Sequence, residues 1–200
     1  AANLPANLWT VTVVDSNGCV ASASVTIERP DTLVFNPNST SPTCFGDCDG
    51  SAGVIVAGGT SPYTYSWTDP GSQTTAIATG LCDGTYSVAI SDAHGCNTLG
   101  MFAIINPLPL TAVSGATDVT CFGDCDGTAT TTASNGTAPY TYNWDDPFTQ
   151  ATQTASSLCA GPYNVTVTDA NSCLTTSGTT VGTPALLTIG ISSFGNVSCK

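Results

Sequence analysis

The residues best equipped for chemistry are cysteines with aspartates beside them, gathered in Cys44-Phe45-Gly46-Asp47-Cys48-Asp49-Gly50 and repeated unchanged as Cys121-Phe122-Gly123-Asp124-Cys125-Asp126-Gly127. Thiols next to carboxylates can close disulfides, hold a metal ion, or supply a nucleophile and a base. Catalysis is not expected, and no catalytic residue is assigned. His94 is the only histidine, its counterparts in the pattern described below are Asn17 and Asn171, and it reads as a turn residue. Nor does a glycine-framed nucleophile or a paired-carboxylate motif appear. Cys44-x-x-x-Cys48 has a loosely suitable spacing for a transition metal, but no matching histidine accompanies it. Disulfides are the chemistry that the pattern favours.

The two heptapeptides are 121 − 44 = 77 residues apart, and the same offset carries Tyr63-Thr64-Tyr65-Ser66-Trp67 to Tyr140-Thr141-Tyr142-Asn143-Trp144. It also carries Leu81-Cys82 to Leu158-Cys159 and Gly95-Cys96 to Ser172-Cys173. One interval back, Trp9, Asp15, Cys19 and Pro30 fall under Tyr86, Asp92, Cys96 and Pro107. Val197-Ser198-Cys199 resembles Val119-Thr120-Cys121, one residue out of step. The organisation expected is therefore the C-terminal part of a preceding repeat over 1–30, complete repeats over 31–107 and 108–184, and the start of a following repeat over 185–200. A repeat of this length is near the lower limit for a self-sufficient core, so covalent cross-links are expected to support it.

Ten cysteines, four in each complete repeat, point to an oxidising, extracellular setting. Arg29 and Lys200 are the only basic side chains against fourteen acidic ones, a net charge of −12, which makes nucleic acid and anionic membranes poor partners. No apolar run is long enough to insert in a bilayer as a helix, and no leader opens the chain; leader and any anchor are expected outside this segment, or the start to have been removed by processing. With only 8% charged residues, the polar surface is built from Thr, Ser and Asn. Such a surface suits an exposed fibre and hints at lateral self-association.

Runs with period-two alternation are separated by Gly, Pro, Asp and Asn turns, and no helical period stands out. The chain reads as all-β, with strands in the first full repeat at 32–36, 51–57, 63–67, 74–79, 85–91 and 97–105. Parity places Ala52, Val54 and Val56, then Tyr63, Tyr65 and Trp67, then Tyr86, Val88 and Ile90 on inward faces. Strand 128–134 of the second repeat is far more polar, so that repeat is expected to be the less stable. The Trp on the third strand and the segment Leu81-Cys82-Asp83-Gly84-Thr85-Tyr86 favour tandem immunoglobulin-like sandwiches. Leu158-Cys159-Ala160-Gly161-Pro162-Tyr163 repeats that corner, and Leu4-Pro5-Ala6-Asn7-Leu8-Trp9 is its counterpart with Trp in place of Tyr.

Cys-Phe-Gly-x-x-Asp-Gly, Gly-Thr-x-Pro-Tyr-Thr-Tyr-x-Trp, Leu-x-x-Gly-x-Tyr-x-Val and Asp-Ala-x-x-Cys, taken together, resemble the SprB-type repeat of giant Bacteroidota surface adhesins. The resemblance covers both complete repeats and the opening tail. It implies a protein exported by the type IX system and arrayed as a filament on the cell surface, linked to gliding or attachment. It also implies that the cysteines equivalent to Cys44 and Cys96 are usual whereas Cys48 and Cys82 are additions, and an added pair most simply bonds to itself. O-linked sugar at Asp-Ser/Thr-apolar triplets is a further implication, fitting Asp31-Thr32-Leu33 with Thr32 as acceptor. Sequons for N-linked sugar occur at Asn38, Asn135, Asn164 and Asn196.

In a sandwich the loop before the second strand and the corner before the Tyr strand share one end, so Cys48 can meet Cys82, and Cys125 can meet Cys159. Two pairings stay open for Cys44. It bonds Cys96 within its own repeat, as Cys121 would bond Cys173, or it reaches Cys173 of the following repeat; the internal bond is favoured because it leaves each repeat self-contained. Asp47, Asp49 and Asp83 are expected at one pole and could hold calcium, although their bland reading is turn formation and Ala160 replaces Asp83 in the second repeat. No other cofactor is expected. The reading that results is a structural segment of an extracellular surface adhesin or filament, a disulfide-stabilised stalk. Its partners would be neighbouring repeats, with glycans or other surfaces engaged by regions outside the segment. The alternatives are carbohydrate-binding repeats, or spacer modules of a secreted hydrolase.

Overall fold

A computed structural model of the chain describes residues 3–190; Asn196 and Cys199 fall outside them. Contacts divide it into two compact units, one of residues up to Thr40 with Gly50–Ile104, the other of Ser41–Asp49 with the residues from Ile105 onward. Every regular element among the described residues is a strand.

The first unit opens with a hairpin of β1 (Asn7–Val14) and β2 (Val20–Ile27). Six strands follow: β3 (Val34–Thr40), β4 (Gly50–Ala57), β5 (Thr64–Trp67), β6 (Ile77–Leu81), β7 (Gly84–Ser91) and β8 (Asn97–Ile104). They form two three-stranded antiparallel sheets ordered β3-β4-β6 and β5-β7-β8. In chain order this is the A-B-E and C-F-G arrangement of an immunoglobulin-like sandwich without its fourth edge strand. The second unit repeats it with β9 (Thr111–Thr117), β10 (Gly127–Ser134), β11 (Thr141–Trp144), β12 (Thr154–Leu158), β13 (Gly161–Thr168) and β14 (Leu174–Val181). Its sheets are ordered β12-β10-β9 and β11-β13-β14. The fold is all-β and immunoglobulin-like in both units.

Alternation drives the folding, because each strand offers one apolar face to the opposite sheet. On β4, Ala52 and Val54 are buried while Ile55 is exposed; on β8, Phe102 and Ile104 are buried while Met101 is exposed. Trp67, Val88, Ile90 and Leu81 complete the first core, and Tyr63, Tyr65, Tyr86 and Val56 pack around it. Trp144, Val165, Val167, Leu158 and Val181 build the second. Each tryptophan is also satisfied as a donor: Trp67 Nε1–H donates to the Thr75 carbonyl at 2.8 Å, Trp144 Nε1–H to that of Thr152 at 3.0 Å.

The expected corners form. Tyr86 donates its hydroxyl to the Cys82 carbonyl at 3.2 Å, Tyr163 to that of Cys159 at 3.0 Å, and Trp9 makes the same reach to Pro5 at 2.9 Å. Two strands depart from their expected limits. β3 begins at Val34 and continues through Pro37 to Thr40. It is an edge strand bonded only to β4, so the N–H that proline lacks withdraws nothing from the sheet. β6 starts at Ile77 instead of residue 74, because the Asp69 carboxylate accepts amide hydrogens from Gly71 and Gln73 and holds that segment in a turn.

The second core is the more polar. Thr131, at the place of Val54, is fully buried, and its hydroxyl reaches only the Val113 carbonyl at 3.4 Å. Burying a hydroxyl on so long a bond is unfavourable, and Val54 shows that the site accepts a methyl. Thr131→Val is expected to stabilise the second unit by about 1 kcal/mol, read as a rise in its melting temperature with the first unit's unchanged.

Candidate functional site

Two local structures carry the cysteine chemistry, and each occurs in more than one copy. The first is the heptapeptide loop. In the first copy, Asp49 accepts from the Thr43 amide at 2.8 Å and closely from the Thr43 hydroxyl, while the Asp47 amide donates to the Cys44 carbonyl at 3.1 Å. In the second, Asp126 accepts from Thr120 and the Asp124 amide donates to the Cys121 carbonyl in the same way. Gly46 at φ +88° and Gly123 at φ +91° turn the chain where a side chain would be strained. The Thr43 hydrogen bonds, the hydroxyl's first, hold the Asp49 carboxyl below its usual range, and Thr120 does the same for Asp126.

The second structure is an aspartate-held turn that presents a cysteine. Asp169 is almost wholly buried, and its carboxylate accepts from the amides of Thr137 at 2.8 Å, Asn171 at 2.9 Å and Cys173 at 2.9 Å. Asp92 does the same for Thr60 at 2.9 Å, His94 at 2.9 Å and Cys96 at 2.8 Å. In the β1–β2 hairpin Asp15 holds the amides of Asn17 and Cys19. Sequence reasoning used these aspartates only as landmarks, yet Asp-x-x-x-Cys at 15/19, 92/96 and 169/173 was a legible signal.

Amide donation from Cys96 lowers the pKa of Asp92, and amide donation from Thr137 lowers that of Asp169, in each case with two further amides and against the effect of burial. A depressed folded pKa means that the stabilisation is fully present above the ordinary aspartate value of about 4 and is lost as pH falls through the lower, folded value. Acid titration of stability is therefore expected to show loss beginning near pH 4. Asp169→Asn should lower the second unit's melting temperature at pH 7 and weaken its dependence on acid, both measurable by calorimetry.

The loop and the turn meet in the second unit. Cys44 is disulfide-bonded to Cys173, 129 residues on, with Cα atoms 5.6 Å apart. Gly46 N–H also reaches Asn106 Oδ1 at 3.4 Å, and Cys173 Sγ lies 3.6 Å from the Thr43 carbonyl oxygen. Thr43, Cys44 and Phe45 of the loop, with Leu110, Thr137 and Asn171, line a cleft of about 260 Å³. The internal pairing favoured above is thus not the one formed. Cys96 and Cys121 are unbonded and exposed, as is Cys19, so neither Cys44–Cys96 nor Cys121–Cys173 exists here. The reason is spatial: loop 41–49 packs with the residues from Ile105 onward, among which Cys173 lies. Cys125 bonds Cys159 across 34 residues, joining the loop to the tyrosine corner, and both Cys48 and Cys82 are disulfide-bonded.

Among the described residues no three Asp, Glu, His or Cys side chains gather as a metal site would require, the set Asp47, Asp49 and Asp83 included. Asp49 instead spends both oxygens on Thr43. His94 sits in its turn with Nδ1 2.9 Å from the Thr60 hydroxyl. Thr32, the expected sugar acceptor, is exposed. No helix among the described residues is long and apolar enough to cross a membrane.

Two immunoglobulin-like sandwiches in sequence, tied by disulfides at their loops and corners, define a tandem-repeat protein of structural modules. The family model described as SprB repeat matches residues 36–72 and 113–149, one interval of the internal period apart. SprB repeats occur in cell-surface proteins. Among solved structures, the chain is similar to the three N-terminal domains of the bacteriophage RB49 Highly Immunogenic Outer Capsid protein, at 17% identity and TM-score 0.47 over 76% of this chain and 58% of that one. It is similar to the N-terminal four Ig domains of Dscam1 isoform 9.44 at 13% identity and TM-score 0.35, over 84% of this chain and 51% of that one. The BSP domain of a biofilm associated protein matches at 18% identity and TM-score 0.25, over 74% and 29%. The chain thus spans little more than half of the first two. No curated protein matches.

Proposed function

We propose that this chain is a load-bearing segment of an extracellular stalk or adhesin on the cell surface, serving attachment by holding whatever lies beyond it at a distance. One observation carries the reading: Cys44–Cys173 joins a loop cysteine of one sequence repeat to a turn cysteine of the next. Tension applied to the two ends of the chain passes from residue 44 straight through the disulfide to residue 173. The 129-residue stretch between them is a closed covalent loop, and the Cys125–Cys159 bond lies inside it. Non-covalent sandwiches would unravel under a steady pull; this one can lose its fold without lengthening. Supporting this are the immunoglobulin-like units, the surface of uncharged Thr and Ser, and the packing of Tyr63, Tyr65, Tyr140 and Tyr142 against the cores, where they serve stability in place of a sugar platform.

Single-molecule stretching tests it. At about 3.4 Å per extended residue, the closed loop hides roughly 45 nm of contour length. The full length is expected to appear only after reductant is added; Cys44→Ser without reductant should release less, because Cys125–Cys159 still closes 34 residues, about 12 nm, and Cys48 and Cys82 remain bonded. Release of both repeats from the oxidised chain would refute the reading.

A further inference from the structure

Both sandwiches lack a fourth strand on the same side, and among the described residues β6 and β12 end their sheets there, bonded only to β4 and β10. A bare strand edge is a template for another chain, because its outward N–H and C=O groups are unspent. Here they are spent on side chains. On β6, the Thr79 N–H donates to Gln73 Oε1 at 3.1 Å, the Thr79 C=O accepts from Gln73 Nε2 at 3.0 Å, and the Ile77 C=O accepts from the Thr75 hydroxyl at 2.5 Å. On β12, Ser156 makes the same two bonds with Gln150, each at 3.0 Å, and the Thr152 hydroxyl donates to the Thr154 C=O at 2.6 Å.

A glutamine side chain offers one carbonyl and one amide group, the pair that the peptide of a neighbouring strand would offer. Its orientation is set by Asp69, which is nearly buried and whose carboxylate can only accept: Gln73 Nε2 donates to it at 2.9 Å, which leaves Oε1 for the strand. Asp146 holds Gln150 in the same way at 3.0 Å. The main chain of each glutamine serves the other sheet. The Gln73 C=O accepts from the Trp67 N–H of edge strand β5 at 3.1 Å, and the Gln150 C=O accepts from the Trp144 N–H of edge strand β11 at 3.0 Å. Just beyond, Gly80 and Ser157, at φ +69° and +57°, sit at a bulge in the pairing with β4 and β10, which bends the edge out of line.

We propose that Gln73 and Gln150, each held by its buried aspartate, guard these sheet edges, so that copies of the chain lying side by side do not add to one another strand by strand. The partner kept out is a second copy of this chain, its β6 antiparallel to β6 about a twofold axis. The first unit needs the guard more. Its outer face beside the edge carries exposed Ile55 and Ile77 where the second unit has Thr132 and Thr154, so a strand added there would extend an apolar face.

The experiment uses the whole chain with its disulfides intact, followed by sedimentation and by amide hydrogen exchange over a range of concentrations. Gln73→Met keeps the length of the side chain and loses its amide. It is expected to turn monomer into dimer as concentration rises, and to speed exchange of the Thr79 amide at least about tenfold in dilute solution, with protection returning in the dimer. Gln150→Met should associate more weakly, and it gives the same readings at Ser156 if Gln73→Met prevents the first unit from folding. Adding Thr79→Lys to Gln73→Met should restore the monomer, because a charge on the edge blocks pairing without replacing the lost bonds. A folded variant that stays monomeric while its Thr79 or Ser156 amide exchanges fast would reduce the glutamine to a brace of its turn and overturn the proposal. So would an unsubstituted chain whose Thr79 protection rises with concentration. Cys44–Cys173 is untouched in every variant, so the load-bearing reading is tested separately.

Discussion

Replacing Cys125 and Cys159 together by alanine is expected to destabilise the second unit by about 4 kcal/mol. The bond closes a loop of 34 residues, and losing that closure frees the unfolded chain to occupy many more states. A small domain is held by only about 5–15 kcal/mol in all, so this is a large share of the total. At about 4–8 °C per kcal/mol for a domain of this size, the unit's melting temperature should fall by roughly 15–30 °C. The core gives little reserve, with Thr131, Ala112 and Thr179 standing where the first unit has Val54, Phe35 and Phe102. Calorimetry of the double variant should show one transition moved far down and the other nearly in place. A shift of only a few degrees would mean that the core, and not the sulfur bridge, holds this unit.

Trp144→Ala is the second large effect, a loss of about 3–5 kcal/mol. The indole is 1% exposed and fills the centre of a core made mostly of Val and Ala, and its removal also leaves the Thr152 carbonyl without its donor. Trp67→Ala in the first unit should cost less. There the Phe102 ring lies 5.3 Å away, centre to centre, and can relax into the space. In the second unit Thr179 is at that position and cannot. Denaturant unfolding of the two variants, followed by hydrogen exchange so that each unit is read separately, would check the ranking. Equal losses would remove the argument that the ring partner decides how far the cavity collapses.

The cores were legible because a strand has a strict two-residue period. Parity alone placed Ala52, Val54, Val88, Ile90 and Trp67 inside, and all are buried. The tyrosine corners were legible for a similar reason, since the hydroxyl reaches back only four residues. Strand limits were less so. Nothing local announces that β3 can run through Pro37, because tolerance of proline depends on the strand's being an edge. The role of Asp92 and Asp169 was half legible: the spacing to the cysteine is visible in the chain, but the amides of Thr60 and Thr137 come from 32 residues away.

From composition, period and parity, the chain by itself determined that it is all-β, built in copies 77 residues apart, stabilised by sulfur, and inward-facing at the positions named. Those properties rest on interactions a few residues long, which every copy repeats. Which thiol Cys44 meets is of another kind. Cys96 and Cys173 present the same atoms on the same aspartate-held turn, so no local feature distinguishes them. Only the tertiary structure, by packing residues 41–49 with the later part of the chain, brought Cys44 to Cys173, because a disulfide is chosen by distance and not by the character of the sulfur.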